Sequence, residues 1–148
     1  MLSVLSPVAG TAVGLSEVPD PVFAQAMVGP GTAIRPHPGP QEAVAPVGGL
    51  LVKLHAHAFV VLAEGDRGVL VHLGIDTVKL GGAGFERLVA EKTEVSAGQP
   101  LIRWDPADVT ARGLSPIVPV VALDAVGDVI SRAVTGAVDR GAPLFRWA

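Results

Sequence analysis

The sequence predicts an all-β protein: a compact antiparallel β-sandwich with a duplicated β motif and one or two very short helices, in a single domain over residues 1–148. Three observations carry this. Eighteen glycines and 13 prolines are scattered through 148 residues, which divides the chain into short segments, each ended by turn residues. Hydrophobic residues make up 49% of the chain but aromatics only 4%, so the apolar content lies in Val, Ala and Leu. β-Branched residues of this kind suit a pleated, half-buried surface. The third observation is internal repetition. Ser6-Pro7-Val8-Ala9-Gly10 is matched in form by Ala45-Pro46-Val47-Gly48-Gly49, and Val95-Ser96-Ala97-Gly98-Gln99-Pro100-Leu101-Ile102-Arg103-Trp104 by Val138-Asp139-Arg140-Gly141-Ala142-Pro143-Leu144-Phe145-Arg146-Trp147. These are pairs, not a tandem array, which points to one duplicated β motif closing a single sandwich and not to a solenoid.

Along the chain, each Pro-Val echo is followed by an alternating apolar run that reads as a strand. Residues 29–42 include a Pro-rich surface loop from about Arg35 onward, where His37, between two prolines, is a solvated residue without a role. His57–Ala63 and Val69–Leu73 are short apolar runs that read as strands, joined through a turn at Glu64-Gly65-Asp66-Arg67-Gly68. Phe85, Leu88 and Val89 have i, i+3, i+4 spacing, which predicts a short helix inside Gly84–Lys92. Asp105-Pro106 has the form of a helix N-cap followed by proline at the first helical position, with Gly113 as the stop. Pro116–Leu123 reads as a strand that Pro119 pushes toward an edge or a bulge. No linker or composition break divides the chain.

Composition excludes several function classes. There is no cysteine, hence no disulfide, thiolate chemistry or sulfur-ligated metal. The net charge of −3, without a basic stripe, argues against nucleic-acid binding. No apolar stretch approaches the roughly 18 residues of a membrane span. Met1-Leu2-Ser3-Val4-Leu5-Ser6-Pro7 carries neither a basic region nor a cleavage pattern, so a cytoplasmic protein is expected.

The most informative residues are two histidines. If the hairpin centres near Glu64 and Gly65, His57 pairs with His72, and Phe59 with Leu70. Directly opposed side chains of an antiparallel pair have Cβ atoms about 4.5–5.5 Å apart, so both imidazoles would share one face with Phe59 and Leu70 beside them. A one-residue slip would send one histidine to the other face. Two facing imidazoles suit two tasks above others: passing a phosphoryl group or holding a metal.

His72 opens the string His72-Leu73-Gly74-Ile75-Asp76-Thr77-Val78. With Gly68-Val69-Leu70-Val71 before it, this resembles the phosphorylation-site signature of the glucose-type enzyme IIA of the bacterial sugar phosphotransferase system. Val18-Pro19-Asp20-Pro21-Val22-Phe23-Ala24, Met27-Val28-Gly29, Ala45-Pro46-Val47, His57-Ala58-Phe59 and Gly82-Ala83-Gly84-Phe85-Glu86 agree with it, in order and over nearly the whole chain. The Ala/Val/Arg-rich composition and Leu54-His55-Ala56-His57 resemble actinobacterial members.

The resemblance implies an antiparallel β-sandwich that accepts phosphate from the carrier protein HPr. It then passes the phosphate to a cysteine on the IIB domain of a sugar permease of the glucose or N-acetylglucosamine type. His72 would be the phosphorylated residue, through Nε2, and His57 its stabilising neighbour. With no cysteine here, the acceptor lies on another chain or domain. The other ring nitrogen of His72 should donate a hydrogen bond, with a backbone carbonyl near Gly74 as its acceptor. No cofactor and no metal are expected. Asp20 and Asp76 would meet basic groups of HPr, and Val22, Phe23, Met27, Leu70 and Val78 are candidates for an apolar docking surface around the histidines. The chain departs from the family where a longer, threonine-bearing segment usually precedes the first site histidine: here His55 takes that place and would either fill the threonine's hydrogen-bonding position or crowd the site. The membrane-binding N-terminal extension of enteric relatives is also missing, so no membrane insertion is expected, and a monomer is the simplest state.

Two other readings compete. His55, His57, His72 and Asp76 offer nitrogen and oxygen ligands of the kind zinc takes, and His72-Leu73-Gly74-Ile75-Asp76 superficially resembles a motif of LytM-type metallopeptidases. Those enzymes, however, place their His-x-His pair after this motif, and here it comes before. A purely regulatory binding module, switched by phosphorylation of His72, is the other alternative.

Overall fold

The computed structural model describes residues Met1–Ala148. In chain order the strands are β1 (Leu2–Leu5), β2 (Gly10–Gly14), β3 (Gly31–Pro36), β4 (Gln41–Val44), β5 (Gly49–Leu54), β6 (Ala58–Ala63), β7 (Arg67–His72), β8 (Glu86–Arg87), β9 (Glu94–Val95), β10 (Pro100–Trp104), β11 (Val118–Ala122), β12 (Ile130–Ser131), β13 (Gly136–Val138) and β14 (Pro143–Trp147). Only two short α-helices interrupt them, α1 (Pro21–Ala24) and α2 (Pro106–Ala111). Every strand pairing is antiparallel. An eight-stranded sheet runs β13-β2-β3-β11-β7-β6-β5-β9, and two three-stranded sheets run β1-β14-β12 and β4-β10-β8. The fold is an all-β sandwich, and none of its helices is long and apolar enough to cross a membrane.

The repeated segments bond to each other as equivalents. Leu5 N donates to the Pro46 carbonyl and Val44 N to the Pro7 carbonyl. Ser6 N donates to Ala142 O and Ala45 N to Gln99 O, while Gly141 N donates to Ser6 O and Gly98 N to Ala45 O. Val4 pairs with Phe145 as Ala43 pairs with Ile102. Gly10 and Gly49 occupy matching crossings: a Cβ on Gly10 would lie 2.1 Å from the Arg35 carbonyl oxygen, and one on Gly49 would lie 2.1 Å from that of Leu62. The sequence echoes are thus the two halves of an approximate two-fold arrangement, and the glycines are required where backbones pass too closely for a side chain.

Alternation along the strands of the large sheet feeds two cores. Val69 and Val71 of β7, Val118, Val120 and Ala122 of β11 and Phe59 and Val61 of β6 face the three-stranded sheets in the main core of 27 buried residues. On the other face, a second cluster contains Leu15, Val18, Phe23, Ala33, Ile75, Ile117 and Val121, with Leu70 packed against it. This small core lies on the His72 side of the sheet, since residues 70 and 72 of one strand share a face.

Four local expectations are corrected. Residues 84–92 form no helix: Glu86 and Arg87 pair with Arg103 and Ile102 as β8, and Phe85 stacks on Trp104 with ring centroids 6.0 Å apart. The apolar spacing there serves the sheet edge, not a helix face. Pro119 is neither at an edge nor in a bulge but inside β11, between β3 and β7. It is tolerated because Ala122 N points to β3, donating to Pro30 O. By alternation residue 119 faces the β7 side, beyond the last pairing with that strand, so no ladder donor is lost. Arg35 and Pro36 belong to β3, which confines the Pro-rich loop to residues 37–40; His37 is exposed there. The hairpin register also differs, as described below. The helix expected after Asp105 is present: Asp105 Oδ1 accepts from Ala107 N at 2.8 Å, and Gly113 follows its end with φ +84°.

Candidate functional site

The hairpin of β6 and β7 places Ala58, not His57, opposite His72, with Phe59 opposite Val71 and Val60 opposite Leu70. The expected pairs 57–72 and 59–70 are therefore one residue out. The turn explains the shift: Glu64, Gly65 and Asp66 form a single turn of 3-10 helix, so the connection closes one residue later than assumed. Phe59 consequently points into the main core, fully buried, and not toward the histidines. A slip of this kind would also turn His57 away if the strand continued through it. It does not. β6 begins at Ala58, and residues 56–57 form a tight turn between β5 and β6, closed by His55 N donating to Ala58 O at 2.8 Å. The turn lets the His57 side chain return to the His72 face, and the two ring centroids are 5.0 Å apart at 70°.

His72 is held on several sides. Its Nδ1 donates to the Gly74 carbonyl at 2.5 Å, the acceptor position expected from the sequence. Since a carbonyl only accepts, the proton is on Nδ1 and the lone pair on Nε2. Gly74 has φ +83°, and a Cβ there would lie 2.7 Å from Thr77 Cγ2 and 3.0 Å from the Ser115 carbonyl oxygen, so glycine is needed to turn its carbonyl toward the ring. The loop after β7 is braced by Thr77 Oγ1 donating to Leu73 O at 2.9 Å and by Ile75 N donating to Ser115 O at 2.9 Å. Phe23 packs on the His72 ring with centroids 5.4 Å apart.

Both imidazoles are neutral at neutral pH. Burial, then the proximity of His72 and His55, lowers His57 to about 4. Burial also holds His72 below the usual histidine range, against the raising effects of the Gly74 hydrogen bond and of Asp20 and Asp76. The arrangement presents an unprotonated Nε2 next to a second neutral imidazole able to donate an N–H, with Phe23 packed on one side and Asp20 and Asp76 close enough to act on His72.

The remaining candidates separate into two groups. Phe23 is only 8% exposed and Leu70 is partly buried; both belong to the small core beneath the site, so they support the ring of His72 more than they offer a docking surface. Val22, Met27 and Val78 are 40%, 67% and 62% exposed. Asp20 caps α1, its Oδ1 accepting from Val22 N at 2.9 Å, and Asp76 is exposed in a left-handed conformation at the start of the turn Thr77–Leu80. Thr77, Ser115 and Arg87 enter the site without having been singled out from the sequence. Thr77 lies within the histidine string, but nothing in its spacing signals a buried hydroxyl brace; Ser115 acts through its backbone and leaves no side-chain signal. His55 does not share a strand face with His57, as the turn intervenes, yet its ring stacks on that of His57 at 5.7 Å and 23°. No three His, Cys, Asp or Glu side chains are grouped to hold a metal ion, which leaves the zinc reading without a ligand set.

Comparison with known proteins shows the family and the fold. Residues 2–126 match the family described as phosphoenolpyruvate-dependent sugar phosphotransferase system, EIIA 1. The chain is 43% identical over 125 residues to the PTS system glucose-specific EIIBCA component of Corynebacterium glutamicum, covering 84% of this chain and 18% of that protein. It is 40% identical over 122 residues to the PTS system glucose-specific EIIA component of Oceanobacillus iheyensis, covering 81% of this chain and 73% of the relative. The chain thus spans under a fifth of the EIIBCA relative and about three quarters of the EIIA component. The solved glucose permease IIA from Mycoplasma capricolum superposes with a TM-score of 0.90 at 36% identity, over 97% of this chain and 94% of the other. The chain belongs to the EIIA 1 family of the phosphoenolpyruvate-dependent sugar phosphotransferase system.

Proposed function

We propose that the chain is a phosphocarrier in sugar uptake. His72 Nε2 takes a phosphoryl group from phospho-HPr and passes it to the cysteine of a IIB domain in a permease of the glucose or N-acetylglucosamine type. The observation that carries this reading is the Nδ1–Gly74 hydrogen bond, which leaves the nucleophilic lone pair on Nε2 beside His57. In the first step the N–P bond to the donor histidine breaks as the Nε2–P bond forms. In the second, the acceptor sulfur takes the phosphorus and Nε2 recovers its lone pair. Such a transfer asks the protein for in-line positioning and charge stabilisation. Gly74 and Phe23 supply the first, and an N–H of His57 donated to a phosphoryl oxygen supplies the second.

Val22, Met27 and Val78, all exposed, form the apolar part of the docking surface, and Asp20 and Asp76, whose charges act on His72, lie at its rim facing basic groups of HPr. A small interface of this kind suits partners that must leave quickly. The relatives whose names join EIIA to EIIB and EIIC in one chain support IIB as the acceptor. The reading places the protein in the cytoplasm, where it works as a monomer. Incubation with phosphoenolpyruvate, enzyme I and HPr, followed by intact mass, tests it: one acid-labile phosphate is expected, absent from His72→Ala. No phosphate on the wild-type protein would refute it.

A further inference from the structure

The two site histidines are not equally held. His72 is fixed by the Gly74 carbonyl and by Phe23. Neither ring nitrogen of His57 has a hydrogen-bond partner in the protein, although the backbone beneath is anchored: Leu73 N donates to His57 O at 2.7 Å, and His55 N to Ala58 O at 2.8 Å. The freedom that remains is rotation of the His57 side chain. Beside it lies a cleft of about 250 Å³, lined also by His55, Val78, Gly81, Gly82 and Arg87, which has room for an imidazole to swing away from His72. The face of the His57 ring is covered by His55, nearly parallel at 23°.

We propose that His55 is a positioning residue for this site: its ring stacks on His57 and keeps that imidazole turned toward His72, ready to meet the phosphoryl group. This rests on the phosphocarrier reading. His55 never touches the phosphorus; it acts through His57 by removing a rotation that would otherwise have to be lost when the donor docks. The task requires a flat ring of about this size and not a proton. Charging both stacked rings would set like charges against each other, and the depressed value of His57 has the proximity of His55 among its causes. His55 itself is exposed at the tip of the hairpin, where a substitution changes little of the core.

Two variants test this, His55→Ala and His55→Phe, the second keeping the plane and losing the ring nitrogens. Single-turnover transfer from phospho-HPr gives the saturating rate and the half-saturating HPr concentration, and NMR titration follows His57. For His55→Ala a roughly tenfold lower saturating rate is expected, with half-saturation unchanged and His57 titrating closer to the ordinary histidine value. His55→Phe should restore the rate to within about twofold and, although it removes the charge contribution of His55, keep His57 below its value in His55→Ala, because the ring still covers it and burial is the largest cause of the depression. An unchanged rate in His55→Ala would overturn the proposal. So would a raised half-saturation alone, which marks a docking contact, or a His55→Phe variant as slow as His55→Ala, which marks a role for the nitrogens. If no protein takes phosphate but the NMR shift appears in Ala and reverts in Phe, the carrier reading fails while the stack stands. If phosphate passes normally and no shift appears, the stack fails alone.

Discussion

The connection from β2 to β3 and the connection from β5 to β6 occupy corresponding places in the two repeated halves, and they share almost nothing. The second is a tight turn at Ala56 and His57. The first leaves the sheet at Leu15, forms α1 and returns at Gly31, carrying Leu15, Val18 and Phe23 into a core of its own. The turn delivers an imidazole whose ring nitrogens have no protein partner; the excursion delivers the apolar wall and the acidic cap, Asp20, beside the other imidazole. Duplication accounts for the scaffold, because hydrogen bonds such as Leu5 to Pro46 and Val44 to Pro7 are repeated. The site is built where the halves stop matching.

Substitutions can break or sharpen this contrast. The largest effect belongs to the strand between the two connections: His72→Ala should abolish phosphate uptake, a loss of at least about 10³-fold, with little change in the melting temperature. At the tight turn, His57→Ala should slow transfer by about 10²-fold, read in single-turnover mass measurements, because the developing charge loses one donor. In the excursion, Phe23→Ala should cost about 3 kcal/mol in denaturant unfolding and move the titration of His72 up toward the ordinary value as its burial decreases. The tight turn has no apolar side chain whose removal would do the same. The glycine crossings test the equivalence itself. Gly10→Ala and Gly49→Ala each force a Cβ onto a carbonyl oxygen at 2.1 Å, so both should destabilise, by about 2 kcal/mol, with Gly49→Ala the more costly because its φ of +152° also disfavours a side chain. A Gly10→Ala variant without cost would mean that the two halves are not equivalent there.

The pH dependence is the effect spread over the widest range of conditions. Burial first of all holds both site histidines below the ordinary value, His57 at about 4. The unfolded chain therefore binds more protons than the folded one between about pH 6.5 and pH 4. The stability of the neutral pair is complete above that window and declines as pH falls through it. Thermal unfolding across this range should show the decline, and His57→Gln should flatten it. Phosphate acceptance should likewise fall off at a lower pH than an ordinary histidine would allow, since burial holds His72 below the usual histidine range.

Much of this protein was legible in its order of residues. Glycines and prolines at short intervals specify strands and turns, because they decide where a backbone can extend and where it must bend. The paired Pro-Val and Pro-Leu segments announce a duplicated sandwich, and the string from His72 to Val78 holds both the imidazole proposed to carry phosphate and its carbonyl partner, since the two lie within two residues of each other. Local chemistry also sufficed for α2, where Asp105 and Pro106 cap and start the helix. What failed depended either on contacts distant in sequence or on the exact shape of a turn. The spacing of Phe85, Leu88 and Val89 suits a helix, but the free edge of β10 recruits their backbone. The register of the hairpin depended on one residue in the turn after Ala63, and the side chain of His57 reaches the site because the strand begins after it and not at it. Phe23 and Leu70 read as surface until a core formed beneath the site. The stack of His55 on His57 exists in no pattern of residue types, because the angle between two rings is set by a turn whose shape is imposed by the strands on either side.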